Sequence, residues 1–302
     1  METNVIITID TEVGEKAPAC QDPFDRYVLG RLQGNLYGAP WIADMLESYK
    51  YRGVFFLDVY GSARFGATRY PELCDRLLKG GHSVELHTHP GWMYDEKRRN
   101  MREYSLSEQK TVLSDGMALV KDWTGRLPKA HRAGNYGANE DTLRALGTNG
   151  IFLDSSFIEG RKNCHLPSAG TNAPVMMNGI WEVPVTTVPE PIHKLGFRLP
   201  FWTRRFWMDY QKLDPNYMTG AQLCRSVMEV YGRIPYALML FHSRSFIRQY
   251  AQGDNFEPDV AAITAFRYLL NFLAKEKIQV TTFERVASQL ALEANRNPSE
   301  VI

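Results

Sequence analysis

Short apolar segments that alternate with longer amphipathic segments are the feature that most constrains the fold of this chain. Residues 5–9 (VIITI), 53–59 (GVFFLDV), 83–87 and 236–241 have the length and the β-branched or aromatic content of buried strands. Residues 40–50, between the first two, have apolar side chains at helical spacing and a proline near the start. This alternation predicts a parallel sheet with helical crossovers.

The same reading extends along the rest of the chain. Ser105 and Glu108 predict a capping box for a helix, and Asn139 is expected to cap the next one. The further predicted strands are 129–133, 151–154, 181–185 and 279–281, and the further predicted helices are 71–79, 105–123, 140–147, 219–231, 258–277 and 283–295.

The number of strand–helix units bears on the architecture. About seven units in a chain of 302 residues favour a closed or nearly closed barrel, with an open doubly wound sheet as the alternative. No nucleotide-binding glycine motif opens a predicted helix, which disfavours open nucleotide-binding folds. Two irregular segments, 13–39 and 155–218, are expected to form loops at the rim. Because no linker divides the chain, we expect residues 1–302 to form one α/β domain.

Composition narrows the class of protein. A formal net charge of +1 argues against bulk attraction to nucleic acid or to an anionic membrane. No apolar run approaches the ~20 residues that cross a bilayer, and the start METNVIITIDTE lacks the regions of a secretory signal. The four cysteines have no CxxC spacing, which is typical of reduced thiols. We therefore expect a cytoplasmic protein without a transmembrane segment or a nucleic-acid partner, of unknown oligomeric state.

Polar side chains follow five of the predicted strands at their carboxyl ends. In parallel α/β barrels this edge is where reactive residues collect. Carboxylates, histidines and an arginine that meet at one edge are typical of a metal-dependent hydrolase. The residues are Asp10, Glu12, His87, His89, His131, Arg132, Asp154 and His242.

Two histidines are the best candidates for metal ligands. His87 and His89 are two residues apart at a strand end, so both side chains can point to one side. Two imidazoles and one carboxylate, from Glu12 or Asp10, would leave open positions for water and substrate, as in catalytic zinc sites. In the alternative, one of the two histidines is a hydrogen-bonded wall residue. His82, further back on the same strand, is expected to be structural.

The remaining candidates divide the acid–base work. Of Asp10 and Glu12, one is expected to bind the metal and the other to take a proton from water. Arg132 offers a fixed guanidinium that can hold a carboxylate in place. His242 is expected to point into the pocket, with a neutral core histidine as the alternative. Asp154 is predicted to orient His242 and to raise its pKa.

These motifs, in this order, resemble the polysaccharide deacetylases of the NodB homology type, carbohydrate esterase family four, over nearly the whole chain. The matching segments are 8–12 (TIDTE), 54–57 (VFFL), 81–89 (GHSVELHTH), 132–137 (RAGNYG) and 240–242 (LFH). The stretches IDTE, HTHP, HRAGNYG and DSS are most similar to the subgroup named for WalW, a lipopolysaccharide-biosynthesis protein.

The resemblance implies a deformed (β/α) barrel and a divalent metal, with zinc first and cobalt, nickel or manganese as alternatives. It also implies that Asp10 is the base, that His242 is the acid and that Arg132 steadies the base. This chain departs from the family in two places. The family spaces its metal histidines H-x-x-x-H, but Gly91 occupies the fourth position after His87, so His89 must take that role. The second acid of the first motif is displaced by one residue to Glu12.

The function expected from this set is N-deacetylation of an N-acylated amino sugar or glycan precursor, in surface polysaccharide or lipopolysaccharide biosynthesis. Tyr136 and Trp92 are predicted to contact the substrate. The aromatic residues Trp181, Trp202 and Trp207 are expected at the rim, where they suit sugar rings. The alternatives are a hydrolase of a non-sugar amide, such as a formamide or ureide, and a non-catalytic glycan-binding barrel.

Overall fold

The computed structural model describes residues 2–14, 20–167, 170–191, 208–250 and 255–296. The strands are β1 (Asn4–Thr11), β2 (Val54–Asp58), β3 (Ser83–Thr88), β4 (Ala130–Ala133), β5 (Leu153–Asp154), β6 (Val175–Met177), β7 (Ile180–Glu182), β8 (Thr187–Pro191), β9 (Met208–Lys212), β10 (Tyr236–His242), β11 (Ile247–Gln249), β12 (Phe256–Pro258) and β13 (Val280–Thr281). The helices are α1 (Ala39–Ser48), α2 (Ser62–Phe65), α3 (Arg69–Lys79), α4 (Leu106–Thr124), α5 (Glu140–Thr148), α6 (Gly220–Val230), α7 (Val260–Lys275) and α8 (Phe283–Arg296). Short helical turns lie at Phe24–Val28, Pro90–Trp92, Met101–Glu103 and Gly134–Tyr136.

One curled sheet carries the site. Its strand order is β10-β1-β2-β3-β4-β5-β7-β6, and β13 also pairs with β1. All pairings from β10 to β7 are parallel, whereas β6 is antiparallel to β7. Beyond β7, the Thr186 N–H donates to the Leu238 carbonyl oxygen (3.1 Å) and the Leu238 N–H donates to Thr186 Oγ1 (2.8 Å). These bonds bring the chain after β7 back to β10, and the predicted deformed (β/α) barrel is confirmed.

Side chains on the strands alternate between the barrel interior and the surrounding helices, as the two-residue period of a strand requires. On β1, Ile6 belongs to the interior cluster, whereas Val5 and Ile7 belong to the larger core under the helices. Helix α8 covers the end of the barrel where the strands begin, with Phe283, Val286 and Leu290 in the interior cluster. The strand members of the interior cluster are Ile6, Val54, Phe56, Ala130, Leu153, Tyr236, Leu238 and Leu240.

The structure agrees with the sequence wherever local signals are strong. Outside 155–218, every predicted strand and helix is present with its ends within two residues of the prediction. Ser105 Oγ accepts the Glu108 N–H (3.4 Å), and Glu108 Oε2 accepts the Ser105 N–H (2.8 Å), so the predicted capping box is confirmed. Asn139 Oδ1 accepts the Thr142 N–H (3.1 Å) and caps α5, also as predicted.

The prediction of a single strand in 155–218 is wrong. The described part of this segment contains β6, β7, β8 and β9, and its β6–β7 and β8–β9 pairs are antiparallel. β8 contains Pro189 and Pro191, and β6 and β7 have three residues each around an Asn178–Gly179 turn, so the two-residue alternation is too brief to recognise. Trp181, expected at the rim, is half-buried against the interior cluster, while Trp202 and Trp207 lie outside the described residues. No helix in the described part of the chain combines the length and apolarity needed to cross a bilayer.

Candidate active site

The predicted site residues lie where the strands of the barrel end. The pairing of β1 with β10 places Asp10 opposite His242, and the pairing of β3 with β4 places His87 opposite Arg132. Because these are neighbouring parallel strands, their last inward-facing residues form a row at one edge of the sheet. Between Ile6 and Asp10 on β1, the interior therefore changes from apolar to polar.

Glu12, His87 and His89 form the metal-binding candidate. Their ligand atoms all lie within 4.8 Å of one another, and all three residues are buried. His89 Nε2 lies 2.5 Å and His87 Nε2 lies 3.3 Å from Glu12 Oε2. Since the carbonyl oxygen of Arg132 can only accept, His87 Nδ1 donates its proton to it (2.9 Å) and leaves Nε2 as the ligand atom. These residues fit a divalent cation.

A glycine explains how the second histidine reaches this position. The His89 ring packs directly against Gly134, where a Cβ would overlap the ring atoms. Only glycine leaves this space, which accounts for the glycine two residues after Arg132 in the fourth matching motif.

Arg132 holds Asp10 in place from within the barrel. The guanidinium is fully buried, and its Nη1 donates to Asp10 Oδ1 (2.7 Å) and to Thr8 Oγ1 (2.9 Å). Its Nε and Nη2 donate to the carbonyl and hydroxyl oxygens of Ser155, both at 2.9 Å. Burial acts to raise the pKa of Asp10, but the charges of Arg132 and His87 outweigh it and hold that pKa below its ordinary value. Asp10 is therefore a fixed carboxylate at neutral pH.

Glu12 has a different set of partners. Arg244 Nη1 donates to its Oε1 (2.9 Å), and His242 Nε2 lies 3.6 Å from the same oxygen. Burial acts to raise the pKa of Glu12, but His89 and Arg244 bring it well below its usual range. Asp10 is thus held by an arginine of the barrel interior, whereas Glu12 faces the two histidines. This geometry separates the two carboxylates in the way a base and a metal ligand would require.

His242 lies beside Glu12, but without the carboxylate partner predicted for it. Burial, followed by the charges of Arg244 and Lys212, lowers the pKa of His242 to about 3. The predicted contact with Asp154 is wrong, since Asp154 Oδ1 lies 2.7 Å from His131 Nδ1. The physical reason is strand alternation: Arg132 points inward, so His131 and its register partner Asp154 point to the outer face.

Asp154 supports the metal-ligand strand from that outer face. His131 Nε2 lies 3.0 Å from Thr88 Oγ1, between the two histidines of the His87–His89 pair. Ser156 Oγ donates to Asp154 Oδ1 (2.9 Å) and accepts the N–H that follows Arg132 (2.9 Å). Burial and the neighbouring Asp154 raise the pKa of Glu182 well above its usual value. Glu182 therefore holds the proton, and Asp154 is the ionised member of the pair. Asp154 is therefore a positioning residue behind the site.

The two predicted substrate contacts have different surroundings. Tyr136 adopts a left-handed backbone conformation (φ 59°), and burial raises its pKa, with Lys212 acting in the opposite direction and Asp10 adding to the increase. Tyr136 therefore lies close to the polar end of the barrel. Trp92 packs against the Phe65 ring and lines a cavity of about 280 Å³ together with Arg64, Gly91, Glu96 and Arg99. Its contact with substrate stays a prediction.

Three charged residues of the site were missed from the sequence. Lys212 is buried in the irregular segment, with Nζ 2.9 Å from Asp214 Oδ2. Burial acts to lower the pKa of Lys212, but Tyr136 and Asp214 hold it above its usual range. Arg244 and Asp58 had a usable signal, because Arg244 lies two residues beyond His242 and Asp58 ends β2. Burial raises the pKa of Asp58 to about 6, against the effect of His89 and His87.

Comparisons with known proteins show a family match for part of the chain and a shared fold for most of it. Residues 36–151 match the family model described as polysaccharide deacetylase. No curated protein sequence matches the chain. A structure from Mycobacterium smegmatis, described as a polysaccharide deacetylase, shares 14% identity, with 96% of this chain and 90% of that chain covered and a TM-score of 0.61. At this identity the likeness shows the fold.

Two further structures extend the comparison. Peptidoglycan deacetylase PdaC from Bacillus subtilis shares 16% identity over 98% of this chain and 95% of that chain, with a TM-score of 0.47. A mutant of a CE4 family pseudoenzyme from Bacillus anthracis, with restored enzymatic activity, shares 11% identity over 94% and 67% of the two chains, with a TM-score of 0.50. Residues 36–151 are thus similar to the polysaccharide deacetylase family, and the deformed barrel is the fold of the Mycobacterium smegmatis structure.

Proposed function

We propose that this enzyme is a metal-dependent N-deacetylase of an N-acylated amino sugar or glycan precursor. The observation that carries the proposal is the meeting of two separate units at one barrel end. One is the Glu12–His87–His89 cluster, and the other is Asp10 fixed by Arg132. A non-catalytic barrel would have no need to bury an arginine to hold a carboxylate beside a potential metal site.

Zinc is the ion that we propose first, with cobalt, nickel or manganese as alternatives. Two imidazoles and one carboxylate, with the remaining positions open, form a donor set typical of catalytic zinc. A divalent ion bound there supplies Lewis acidity toward an amide carbonyl and lowers the pKa of water.

The residues of the chain divide the proton transfers. Asp10, kept ionised and oriented by Arg132, accepts a proton from water as the water oxygen bonds to the acyl carbon. The carbon–nitrogen bond then breaks, and the amine nitrogen must receive a proton. His242 is neutral at neutral pH in the state described, so it must first take up a proton before it can give one to that nitrogen. Asp10 can supply this proton, because it has accepted one from water and lies opposite His242 in the β1–β10 pairing. A backbone N–H near Tyr136 would stabilise the tetrahedral oxyanion.

The proposed pathway and compartment come from sequence motifs and composition. The segments IDTE, HTHP, HRAGNYG and DSS favour the WalW-like subgroup, so we propose a role in surface polysaccharide or lipopolysaccharide biosynthesis. A cytoplasmic location, a small carbohydrate partner and the absence of nucleic-acid binding complete the proposal.

Metal content and a substrate screen test this function together. The purified protein is expected to retain one divalent ion and to release acetate or formate from acetylated or formylated amino sugars, free or nucleotide-linked. His87→Ala should lose both the ion and the activity. His82→Ala is the matched control, because His82 directly precedes β3 but has no part in the cluster. Its Nδ1 accepts the Gly53 N–H (2.9 Å), and its Nε2 lies 3.3 Å from Glu47 Oε1.

The outcomes separate the alternatives. His82→Ala should be less stable than the wild type but should keep its metal. Equal metal content in the wild type and in His87→Ala would reject the metal assignment. Hydrolysis of formamides or ureides without any action on amino sugars would move the enzyme to a non-sugar substrate.

A further inference from the structure

Asp58 is a buried carboxylate at the metal-binding end of the barrel that the proposed mechanism does not use. It ends β2, directly opposite His87 in the β2–β3 register, and is 1% exposed. Neither of its carboxylate oxygens has a hydrogen-bond partner of ordinary geometry in the described part of the chain. Because an ionised group without a partner is strongly disfavoured in a protein interior, this side chain needs a source of positive charge.

The other carboxylates at this end already have cationic partners. Asp10 is paired with Arg132 (2.7 Å), and Glu12 is paired with Arg244 (2.9 Å). A divalent ion placed among Glu12, His87 and His89 would therefore add two positive charges to a buried region whose negative charges are already balanced. A buried excess of charge is costly, so the site with a bound divalent ion needs a further negative charge nearby.

Asp58 supplies the missing charge. It is the register partner of His87 on the neighbouring strand, which places its carboxylate next to the ligand set. It lies outside the cluster whose ligand atoms are all within 4.8 Å of one another, so it is not a further direct ligand in this arrangement. Groups behind the ligands of a metal site commonly raise its affinity, and Asp58 would do so through its charge, because the Nδ1 proton of His87 already goes to the Arg132 carbonyl oxygen.

We infer that Asp58 is a positioning residue that raises the affinity of the Glu12–His87–His89 site for a divalent cation, through its charge and without direct ligation. The inference rests on the proposed metal dependence. The ionised Asp58 lowers the stability of the metal-free protein, whereas in the metal-loaded protein the positive charge of the ion compensates it.

Calorimetric titration of the metal-stripped full chain with zinc or manganese chloride measures the first effect. Asp58→Asn should weaken the affinity for the ion by about 10–100-fold, the range found for residues that support metal ligands. Glu12→Gln should weaken it more. Glu85→Gln is the matched control, because Glu85 is a buried carboxylate of the same barrel whose partners are the Lys129 and Ala130 N–H groups. Its affinity for the ion should equal that of the wild type.

Thermal melting with and without the ion measures the second effect. Metal-free Asp58→Asn should melt at the same temperature as the metal-free wild type or above it, and should gain less from added ion. A merely structural residue would lower both melting temperatures and leave the affinity unchanged. Asp58→Leu, of similar shape and without charge, serves if Asp58→Asn does not fold. Failure of both variants to fold would overturn the inference in favour of a structural role.

The results also separate this inference from the proposed function. If Glu12→Gln loses the ion and Asp58→Asn binds it as tightly as the wild type, only the role of Asp58 is wrong. If the wild type binds neither ion, or if Glu12→Gln binds them unchanged, the metal-dependent function fails and the inference fails with it.

Discussion

Ile6 and Asp10 lie on the same side of β1, yet one belongs to the closed end of the barrel and the other to the end that carries the site. The same contrast is present on β10, where Leu238 lies in the interior cluster and His242 ends the strand. The apolar end is sealed by α8 and buries hydrophobic surface, which stabilises the fold. The polar end buries charges, which costs stability unless they are paired. The stability gained at the apolar end therefore offsets the cost of burying charged residues at the polar end.

The two ends also contain carboxylates with opposite behaviour. At the α8 end, Glu85 accepts hydrogen bonds from two backbone N–H groups, at 2.7 and 3.0 Å, and burial raises its pKa to about 7. At the site end, the Arg132 charge overcomes burial and keeps the pKa of Asp10 low. The difference teaches that burial alone does not set the protonation state of these acids. A charged partner at contact distance does.

The largest effect expected at the polar end comes from Asp10. Asp10→Asn keeps the size of the side chain and removes its basicity, so turnover should fall by about 10²–10⁴-fold or more while the metal stays bound. Glu12→Gln should instead weaken metal affinity, and added metal should partly restore its activity. Steady-state kinetics with parallel metal analysis check both variants. If Asp10→Asn loses the metal while Glu12→Gln keeps it, the two roles are reversed.

The apolar end should respond in stability and not in chemistry. Leu238→Ala opens a cavity in the interior cluster and should lower the free energy of unfolding by about 2–5 kcal/mol. Leu127, which is 51% exposed, provides the control, since Leu127→Ala should change that free energy by no more than about 0.5 kcal/mol. Urea denaturation measures both, and metal affinity should be unchanged in both. A loss of metal binding in folded Leu238→Ala would show that the two ends are not independent.

Glu85 provides the smallest and most specific test. Its pKa is raised from 4.5 to about 7 by folding, so the folded state holds this proton more tightly than the unfolded state. The stability that protonated Glu85 contributes is therefore complete below pH 4.5 and is lost as the pH rises through 7. A tenfold difference in proton affinity corresponds to about 1.4 kcal/mol, so the loss amounts to about 3 kcal/mol.

Glu85→Gln should remove this pH dependence. Relative to the wild type, the variant should gain stability between pH 5 and pH 8, as measured by urea denaturation at each pH. Asp10→Asn should not give the same gain, because the pKa of Asp10 is lowered and not raised. Parallel pH profiles for the wild type and Glu85→Gln would contradict the raised pKa of Glu85.

The sequence by itself determined the parallel strands and the long helices outside 155–218, and the edge of the sheet where the chemistry collects. The two-residue alternation and the helix caps at Ser105 and Asn139 are local, so they can be read without knowledge of the rest of the chain. Residues that end consecutive parallel strands must share one edge of the sheet. For that reason the positions of Asp10, His87 and His242 along their strands are enough to bring them together.

Only the tertiary structure decided which side chains face each other. Asp154 pairs with His131 and not with His242, because the two-residue alternation at Arg132 turns His131 to the outer face. Lys212 reaches the site from an irregular segment that has no periodic signal. In the described part of the chain, Asp58 lacks a hydrogen-bond partner because of how the surrounding side chains are oriented, which no local pattern specifies. Local patterns fix the position of a residue along a strand, but its partners come from segments distant in the sequence, and those are set only when the barrel closes.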